Sequence, residues 1–416
     1  MNRGYCSPRN HSRNQDPDQS LLRYVHLLER IYTQLISVGQ TRENYLLKSE
    51  PNYILYGVEG SYYAAKTRSY LKAKLIPFKE VLADRRAFVE QIIPRVGYPV
   101  VPVLVTPTNE TLQDTSVIFD TLEKRHPTPP MIPSSPKVKI AAYLIELLAD
   151  EWLKLPALHY RWHYDHEFAT IMMGENNDPD APIEKQRNIG EKIAARFSRW
   201  PAHLGATAST KEAVELHFLE FLDYLENHFC QHKFVLGDRV TMADFALMGP
   251  MYAHLYRDPY SGKILHWRAP RVCRWIENMK FSQEKPGLAE LPDDVPTTMI
   301  KILRHLNRDF VPTLVAAIEL IQIWLKKNNH SAVPRYVGSH SFTIGRKTPY
   351  EVTGRRSLHP FEQWKIQRVK RVIAEVETQE LEQTNCFLKE VEAFPIKTLK
   401  IRERLSINHF CLSKKH

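Results

Sequence analysis

The sequence predicts an α/β domain, then an all-α domain, then a further mostly helical C-terminal region. Three observations predict this fold class. Short apolar runs alternate with helical periodicity from Tyr53, the proline-dense segment HPTPPMIPSSP follows at residues 126–136, and almost every later apolar pattern has helical spacing. A length of 416 residues fits this division, because domains of about 150 residues give roughly three.

The first 50 residues are interpreted as an N-terminal extension. Residues 1–19 are polar, whereas apolar residues recur at helical spacing over residues 20–38, which predicts an amphipathic helix. Its apolar stripe must pack on another surface of this chain or on a partner. The Arg and Ser content at the start also fits a transit peptide, although Asp16 and Asp18 interrupt the acid-free pattern of such peptides.

Residues 51–126 are predicted to form the α/β domain, with elements in the order βαβ-α-ββα. The predicted elements are a strand at Tyr53, a helix over 61–74, a strand at Phe78–Leu82, a helix near Arg85–Ile93, a strand at Val100–Val105, a short strand and a helix from Asp114. Strands that alternate with helices and then end in a hairpin are typical of a mixed sheet with helices on both faces.

Residues 127–137 are predicted to be a linker, because no helix or central strand tolerates this density of proline. Residues 138–285 are predicted to be all-α. Residues 286–416 are predicted to be a basic and mostly helical extension, with a Gly/Ser-rich interruption at residues 336–350.

Composition indicates a globular protein, with 43% hydrophobic and 25% charged residues. Residues 331–416 hold 16 Lys and Arg against 9 Asp and Glu, so they carry seven of the ten net positive charges. The remaining chain is close to neutral, and we expect no nucleic-acid partner. RNA binding by the basic segment at residues 364–372 is the weaker alternative to a helix with one packed face.

The five cysteines are odd in number and widely spaced, without a CxxC pair. This pattern favours a reducing compartment and gives no zinc or redox-dithiol signature. No window approaches 18 uncharged apolar residues, so we expect no membrane span. A cytoplasmic location is the resulting expectation.

The motif SYYAAKTR places Ser61 directly before a predicted helix and Arg68 seven residues later. Free N–H groups and the helix dipole favour an anion at such a helix start. With the α/β layer, the linker and the all-α domain, this motif resembles the glutathione transferase superfamily over roughly residues 52–279. The resemblance implies a thioredoxin-like domain, glutathione as cofactor, and Ser61 as the catalytic residue that stabilises the glutathione thiolate. The structural alternative is that Ser61 is only an N-cap.

A second motif, VVPVLV followed by LQDTSVIFDTLE, strengthens the resemblance. Pro102 is similar to the family's cis-proline, which implies that the backbone of Val101 pairs with the cysteinyl unit of glutathione. Asp114 and Thr115 stand where the family has a Glu/Gln-Ser pair that holds the γ-glutamyl end. The alternative is an edge-strand proline and an ordinary helix cap.

A third motif, GDRVTMADFALMGP, predicts a capping box in which Thr241 caps a helix and Asp244 lies three residues later. It resembles the buried capping box of the superfamily's helical domain. Its role is folding, so it says nothing about activity.

The segment HYRWHYDHE places His159, His163 and His166 on one helical face. Without a nearby Cys or an HExxH pattern, this face is a weak metal-site candidate, and we predict no metal. We interpret Tyr160 and Trp162 instead as an apolar wall for the second substrate, between the two domains.

The sequence therefore predicts a glutathione transferase-like enzyme in which glutathione attacks a small-molecule electrophile, as in detoxification. The alternative is a catalytically silent transferase-fold scaffold. Family members commonly form twofold dimers, so a homodimer is expected unless the extra terminal segments cover the usual dimer face.

Overall fold

The computed structural model describes residues 52–281, 291–328 and 332–415. The N-terminal helix predicted over residues 20–38 lies outside these residues, as does most of the predicted boundary near residue 286. None of the helices in the described ranges combines the length and apolarity that crossing a membrane requires.

The α/β domain is built on a four-stranded sheet with strands in the order β2-β1-β3-β4. Its elements are β1 Tyr53–Gly57, α1 Tyr62–Ala73, β2 Phe78–Leu82, α2 in the consecutive segments Arg85–Ala87, Phe88–Ile92 and Ile93–Val96, β3 Val103–Val105, β4 Thr111–Gln113 and α3 Thr115–Arg125. Strand β1 is parallel to β2, and β3 is antiparallel to both β1 and β4. This mixed sheet follows from the predicted element order, because parallel strands need a crossover helix whereas antiparallel ones close through a short turn.

The helical domain follows, and its described residues, up to residue 281, form no further strand. Its helices are α4 Pro136–Leu147, extended by a π-helical turn Leu148–Trp152, α5 Lys154–His163, α6 His166–Asn177, α7 Ile183–Phe197, α8 Trp200–Leu204, α9 Lys211–His228, α10 Met242–Pro250, extended by a π-helical turn Met251–Tyr256, α11 Pro259–Arg268 and α12 Pro270–Phe281. The predicted capping box at the start of α10 is confirmed. The buried Asp244 carboxylate accepts hydrogen bonds from the backbone N–H groups of Thr241 and Val235, both at 2.9 Å.

Helices α1 and α10 join the two domains by close packing. A Cβ atom at Gly249 would lie 3.0 Å from the ring and the backbone oxygen of Tyr62, so a larger residue would push α1 and α10 slightly apart. The hydroxyl of Tyr62 also donates to the carbonyl oxygen of Ala149, after the end of α4. The first turn of α1 is therefore held against the helical domain.

The C-terminal region is mostly helical, as predicted, but it also contains two β-hairpins. Its elements are α13 Thr297–Lys327, β5 Ser339–Ile344, β6 Val352–Ser357, α14 Pro360–Ala374, a 3-10 turn Thr378–Glu380, α15 Leu381–Glu390, α16 Phe394–Thr398, β7 Leu405–Asn408 and β8 Cys411–Lys414. The interruption predicted at residues 336–350 holds β5, which pairs antiparallel with β6. The basic helix predicted at residues 364–372 lies within α14.

Helix α14 is fixed to the other domains by a buried cluster of alternating charges, here called the charge network. Lys66 of α1 pairs with Glu146 at 2.7 Å and with Asp150 at 2.9 Å. Lys365 of α14 pairs with the same Asp150 at 2.9 Å, and Arg368 pairs with Glu146 at 3.1 Å. All five side chains are more than nine-tenths buried.

The charge network extends to α3. Ser116 donates to Glu146 at 2.8 Å and accepts from Lys365 at 2.7 Å, while Arg368 Nη2 donates to Asp120 at 3.0 Å. Removing one member of such a buried set leaves uncompensated charge, which is strongly destabilising. Arg368 is therefore a structural residue. The prediction of a helix with one packed and one solvated face is corrected here, because the basic side chains of Lys365 and Arg368 are buried as well.

Glu146→Gln tests the importance of the charge network. Burial opposes ionisation of Glu146, but Arg368, Lys66 and Lys365 hold its pKa well below its ordinary value of 4.5. We expect Glu146→Gln to lower the free energy of unfolding by about 3 kcal/mol at neutral pH, measured by urea denaturation. A pKa lowered on folding contributes stability above the unfolded pKa and loses it on acidification, so the difference from wild type should shrink below about pH 4.

Glu375→Gln is the matched control, because Glu375 pairs with Lys139 at 3.3 Å across an exposed surface. Its effect should stay below about 1 kcal/mol. Equal losses in the two variants would contradict a special role for the buried cluster.

Candidate functional site

The loop before α1 is held by two buried arginines. Arg68 donates to the carbonyl oxygen of Val58 at 3.2 Å and forms a bidentate pair with Glu80 on β2. Arg161, from α5, donates to the carbonyl oxygen of Gly60 at 3.2 Å and pairs with Asp258 at 2.7 Å. The turn that leads into Ser61 is therefore fixed by both domains.

Ser61 is the N-cap of α1, and its Oγ accepts a hydrogen bond from the backbone N–H of Ala64 at 3.3 Å. Because a hydroxyl can also donate, this cap leaves the Ser61 proton available to another acceptor. Ser61 is half-buried, and it is not among the residues that line the cavity described below.

The peptide bond between Val101 and Pro102 is cis, as the resemblance implies. It directly precedes β3, which lies between β1 and β4 in the sheet. Asp114 follows β4 and has a positive φ of 69°. It caps α3, because its Oδ1 accepts a hydrogen bond from the backbone N–H of Ser116 at 2.8 Å. Thr115, the first residue of α3, is almost fully buried.

These four residues meet at one cavity of about 110 Å³. Val101, Pro102, Asp114 and Thr115 all contribute to its walls. The other lining residues are Tyr63, Val100, Gln113, Glu151, Lys154, Trp200, Arg335, His359, Phe361, Lys365 and Phe410. The cavity is smaller than the pockets of about 300 Å³ or more that usually hold drug-sized ligands.

The C-terminal region forms a third of this lining and supplies much of its positive charge. Lys365 lies 3.5 Å from Asp114 Oδ1 and is held by its closer contacts with Asp150 and Ser116. Its ammonium group therefore lies beside the carboxylate that the sequence predicts for binding the γ-glutamyl ammonium. Nearby, Lys154 pairs with Glu151 at 2.8 Å.

Several polar atoms of the lining have no hydrogen-bond partner among the residues that the structure describes. They are Gln113 Oε1, Thr115 Oγ1, His359 Nε2 and Arg335 Nη2. Leaving a buried polar group unpaired costs about 1–3 kcal/mol. An occupant with complementary donors and acceptors would remove this cost.

The ionisation states of the lining follow from burial. Burial, aided by Glu151, Asp150 and Asp114, raises the pKa of Tyr63 well above its ordinary value, so this phenol remains a donor at neutral pH. Burial lowers the pKa of His359 to about 3, and Lys154 and Arg356 act in the same direction. His359 is therefore neutral at neutral pH.

Two other predicted site residues do not reach the cavity. Tyr160 is buried in an aromatic cluster with Phe218 and Tyr260, at ring distances of 5.5 and 6.0 Å. Trp162 packs with a separate apolar group that includes Ala169. The interpretation of Tyr160 and Trp162 as a wall facing the cofactor's sulfur is therefore not supported by their positions, because both face the helical core.

The histidines of this segment form no metal cluster. His159 contacts His163 at 2.7 Å between their Nδ1 atoms and Glu215 at 2.8 Å. Among the described residues, no group of three or more His, Cys, Asp and Glu side chains could hold a metal ion.

The sequence missed the cavity residues that lie far from its motifs. Tyr63 was also missed, although it lies two residues after Ser61 in the same motif. Tyr63 lines the cavity, whereas Ser61 does not. Arg335, His359, Phe361, Lys365 and Phe410 carried no local signal.

Two family comparisons agree with the domain order. The glutathione S-transferase N-terminal domain family matches residues 55–130, and the glutathione S-transferase C-terminal domain family matches residues 192–282. These matches confirm the predicted fold class, a thioredoxin-like domain followed by a transferase-type helical domain. No curated protein matches the sequence.

The chain is similar to several solved structures at low sequence identity. A β-etherase from Sphingobium sp. has 15% identity and a TM-score of 0.41, and the match covers 55% of this chain and 94% of the etherase. A glutathione S-transferase from Methylobacterium radiotolerans, in complex with glutathione sulfonate, has 21% identity and a TM-score of 0.34, with 58% and 99% covered. A family member from Pseudomonas fluorescens with two glutathione molecules bound has 11% identity and a TM-score of 0.34, with 57% and 91% covered.

The two family matches and their order along the chain are what identify the domains. On that basis, residues 55–130 and 192–282 are an N-terminal and a C-terminal domain of the glutathione S-transferase superfamily.

Proposed function

We propose that this protein binds glutathione in the cavity between the α/β domain and the C-terminal region, and transfers it to a small electrophile. The observation that carries this proposal is that Val101, Pro102, Asp114 and Thr115 line one cavity at the start of α3. The glutathione backbone would pair with Val101. The γ-glutamyl carboxylate would bind Thr115 and the free N–H groups at the start of α3, where the helix dipole favours an anion.

The chemical step would be attack by the glutathione thiolate, stabilised at the first turn of α1. Ser61 is our candidate donor, since its own cap bond uses Oγ only as an acceptor. A hydrogen bond to a charged group contributes about 1.5–3 kcal/mol, which lowers a thiol pKa by roughly one to two units. Ser61 would thus stabilise the thiolate and would not itself attack.

A second candidate function is a catalytically silent scaffold. Two observations favour it: Lys365 occupies the neighbourhood of Asp114, and Ser61 does not line the cavity. In that case the transferase fold would be retained for interaction and not for chemistry.

Glutathione binding separates the two candidates. We expect calorimetric titration of the full chain to show binding at micromolar to low millimolar concentration. Thr115→Val should weaken it about ten-fold, because the only hydroxyl at the start of α3 that lines the cavity is lost. Thr121→Val, on the same helix but away from the cavity, is the matched control and should bind like wild type. Absence of heat with glutathione would instead support the scaffold.

Ser61→Ala tests the catalytic residue. We expect kcat with a chloronitroaromatic electrophile to fall about 10- to 100-fold, because the thiolate loses its donor. The free energy of unfolding should fall by only about 1 kcal/mol, which is the usual cost of losing an N-cap.

Tyr63→Phe is the comparison variant, because it removes the neighbouring hydroxyl, which donates weakly to the Asp150 carbonyl oxygen at 3.3 Å. It should leave kcat nearly unchanged. Full activity in Ser61→Ala with loss in Tyr63→Phe would transfer the role to Tyr63.

A further inference from the structure

Arg335 lies in the segment before β5 and brings a guanidinium group to the cavity from the C-terminal region. The group lies over the ring of Phe361, 4.8 Å from its centroid, and over the ring of Phe410. Two aromatic faces therefore restrict its orientation, and cation–π attraction stabilises it there. A planar guanidinium that stacks on aromatic faces keeps its N–H groups for hydrogen bonds in its own plane.

Arg335 differs from the other cations of the lining in its pairing. Lys154 and Lys365 each have a carboxylate within 3 Å. Within residues 52–281, 291–328 and 332–415, no carboxylate lies within 4 Å of the Arg335 guanidinium, and its buried Nη2 has no hydrogen-bond partner. A desolvated cation without a counter-ion is costly, so this position favours an anion from outside the described chain.

Burial lowers the pKa of Arg335 to about 10, although Tyr63, Tyr98, Cys411 and Asp114 act in the opposite direction. The group therefore remains charged at neutral pH. Its lowered pKa is a further sign of desolvation, because burial penalises the charged form.

Three further side chains indicate that this space is built for an occupant. Gln113, Thr115 and His359 are each more than nine-tenths buried and line the same cavity, and each has a polar atom without a partner in the described part of the chain. Their atoms offer hydrogen bonds without adding negative charge. The lining also holds Asp114 and Glu151, but Glu151 pairs with Lys154, and Asp114 lies 3.5 Å from Lys365. Arg335 is therefore the lining cation without a carboxylate within 4 Å among the described residues, and the neutral polar groups beside it suit a carboxylate on a polar ligand.

We propose that Arg335 is a specificity-determining residue that binds a ligand carboxylate through its guanidinium edge. If glutathione is the ligand, this assignment rests on the proposed function, and Arg335 takes the glycine carboxylate while Thr115 takes the γ-glutamyl carboxylate. A planar guanidinium binds a carboxylate through two parallel N–H···O bonds, which a lysine ammonium cannot match. The C-terminal region thereby selects the ligand of a cavity built mainly by the transferase fold.

The test uses the full chain and compares wild type, Arg335→Gln, Arg335→Lys and the control Arg355→Gln. Arg355 is an exposed arginine on β6, and its guanidinium donates to Ser339 Oγ at 2.7 Å. Calorimetry would be run with glutathione and with its ethyl ester at the glycine carboxylate. Thermal shift would be measured with each peptide and with inorganic phosphate as a small anion.

We expect Arg335→Gln to bind glutathione about ten-fold or more weakly than wild type, with Arg335→Lys intermediate. The ethyl ester should bind wild type and Arg335→Gln equally, because the carboxylate that Arg335 reads is masked. Without ligand, Arg335→Gln and wild type should have similar thermal stability, because loss of the cation–π contacts offsets removal of a desolvated cation. A merely structural arginine would instead lower the unliganded stability and leave ligand affinity unchanged.

The outcomes separate this inference from the proposed function. If wild type binds glutathione and Arg335→Gln binds it equally well, the role of Arg335 is overturned and glutathione binding stands. If wild type does not bind glutathione, the proposed function fails, and phosphate then decides the role of Arg335. Stabilisation of wild type but not of Arg335→Gln by phosphate supports an anion site, and equal responses of the two proteins overturn it.

Discussion

The buried charge network is the interaction on which the arrangement of the described chain depends. It joins α1 and α3 of the thioredoxin-like domain, α4 of the helical domain and α14 of the C-terminal region through Glu146 and Asp150. Buried ion pairs add little net stability compared with apolar packing, because desolvation offsets the Coulomb attraction. Buried ion pairs instead favour one arrangement of the helices over others. If α14 lay away from Asp150 and Glu146, Lys365 and Arg368 would lose these carboxylate partners.

This constraint has a direct consequence for the cavity. Once Lys365 is held by Asp150 and Ser116, the start of α14 lies beside Asp114 and closes one side of the space at α3. The segment around Arg335 and the ring of Phe410 complete the wall. The cavity is therefore lined by all three regions of the chain. The C-terminal region contributes two of its cations, Arg335 and Lys365.

The position of the C-terminal region at the cavity explains why we propose two candidate functions, glutathione transfer and a catalytically silent scaffold. Val101, Pro102, Asp114 and Thr115 line one cavity, which is the arrangement that the proposed glutathione site needs. The neighbouring Lys365 and the small volume favour a more restricted ligand. The cavity is the functional site in both proposals. They differ in whether the thiol of a bound ligand reaches the first turn of α1.

The sequence by itself determined the local structure and the family. Strand alternation, the prolines at residues 126–136 and the capping box at Thr241 and Asp244 each depend on neighbouring residues, so they can be read from a short window. The motif around Pro102 and Asp114 likewise predicted four residues of the cavity lining. Only the tertiary structure decided the rest. Arg335 and Lys365 lie more than 200 residues from Asp114 in the chain, and no pattern within a helix or strand specifies which distant carboxylate a buried cation will meet. The same limit applies to Tyr160 and Trp162, because helical spacing shows that a face is apolar but not whether it meets a cavity or the core.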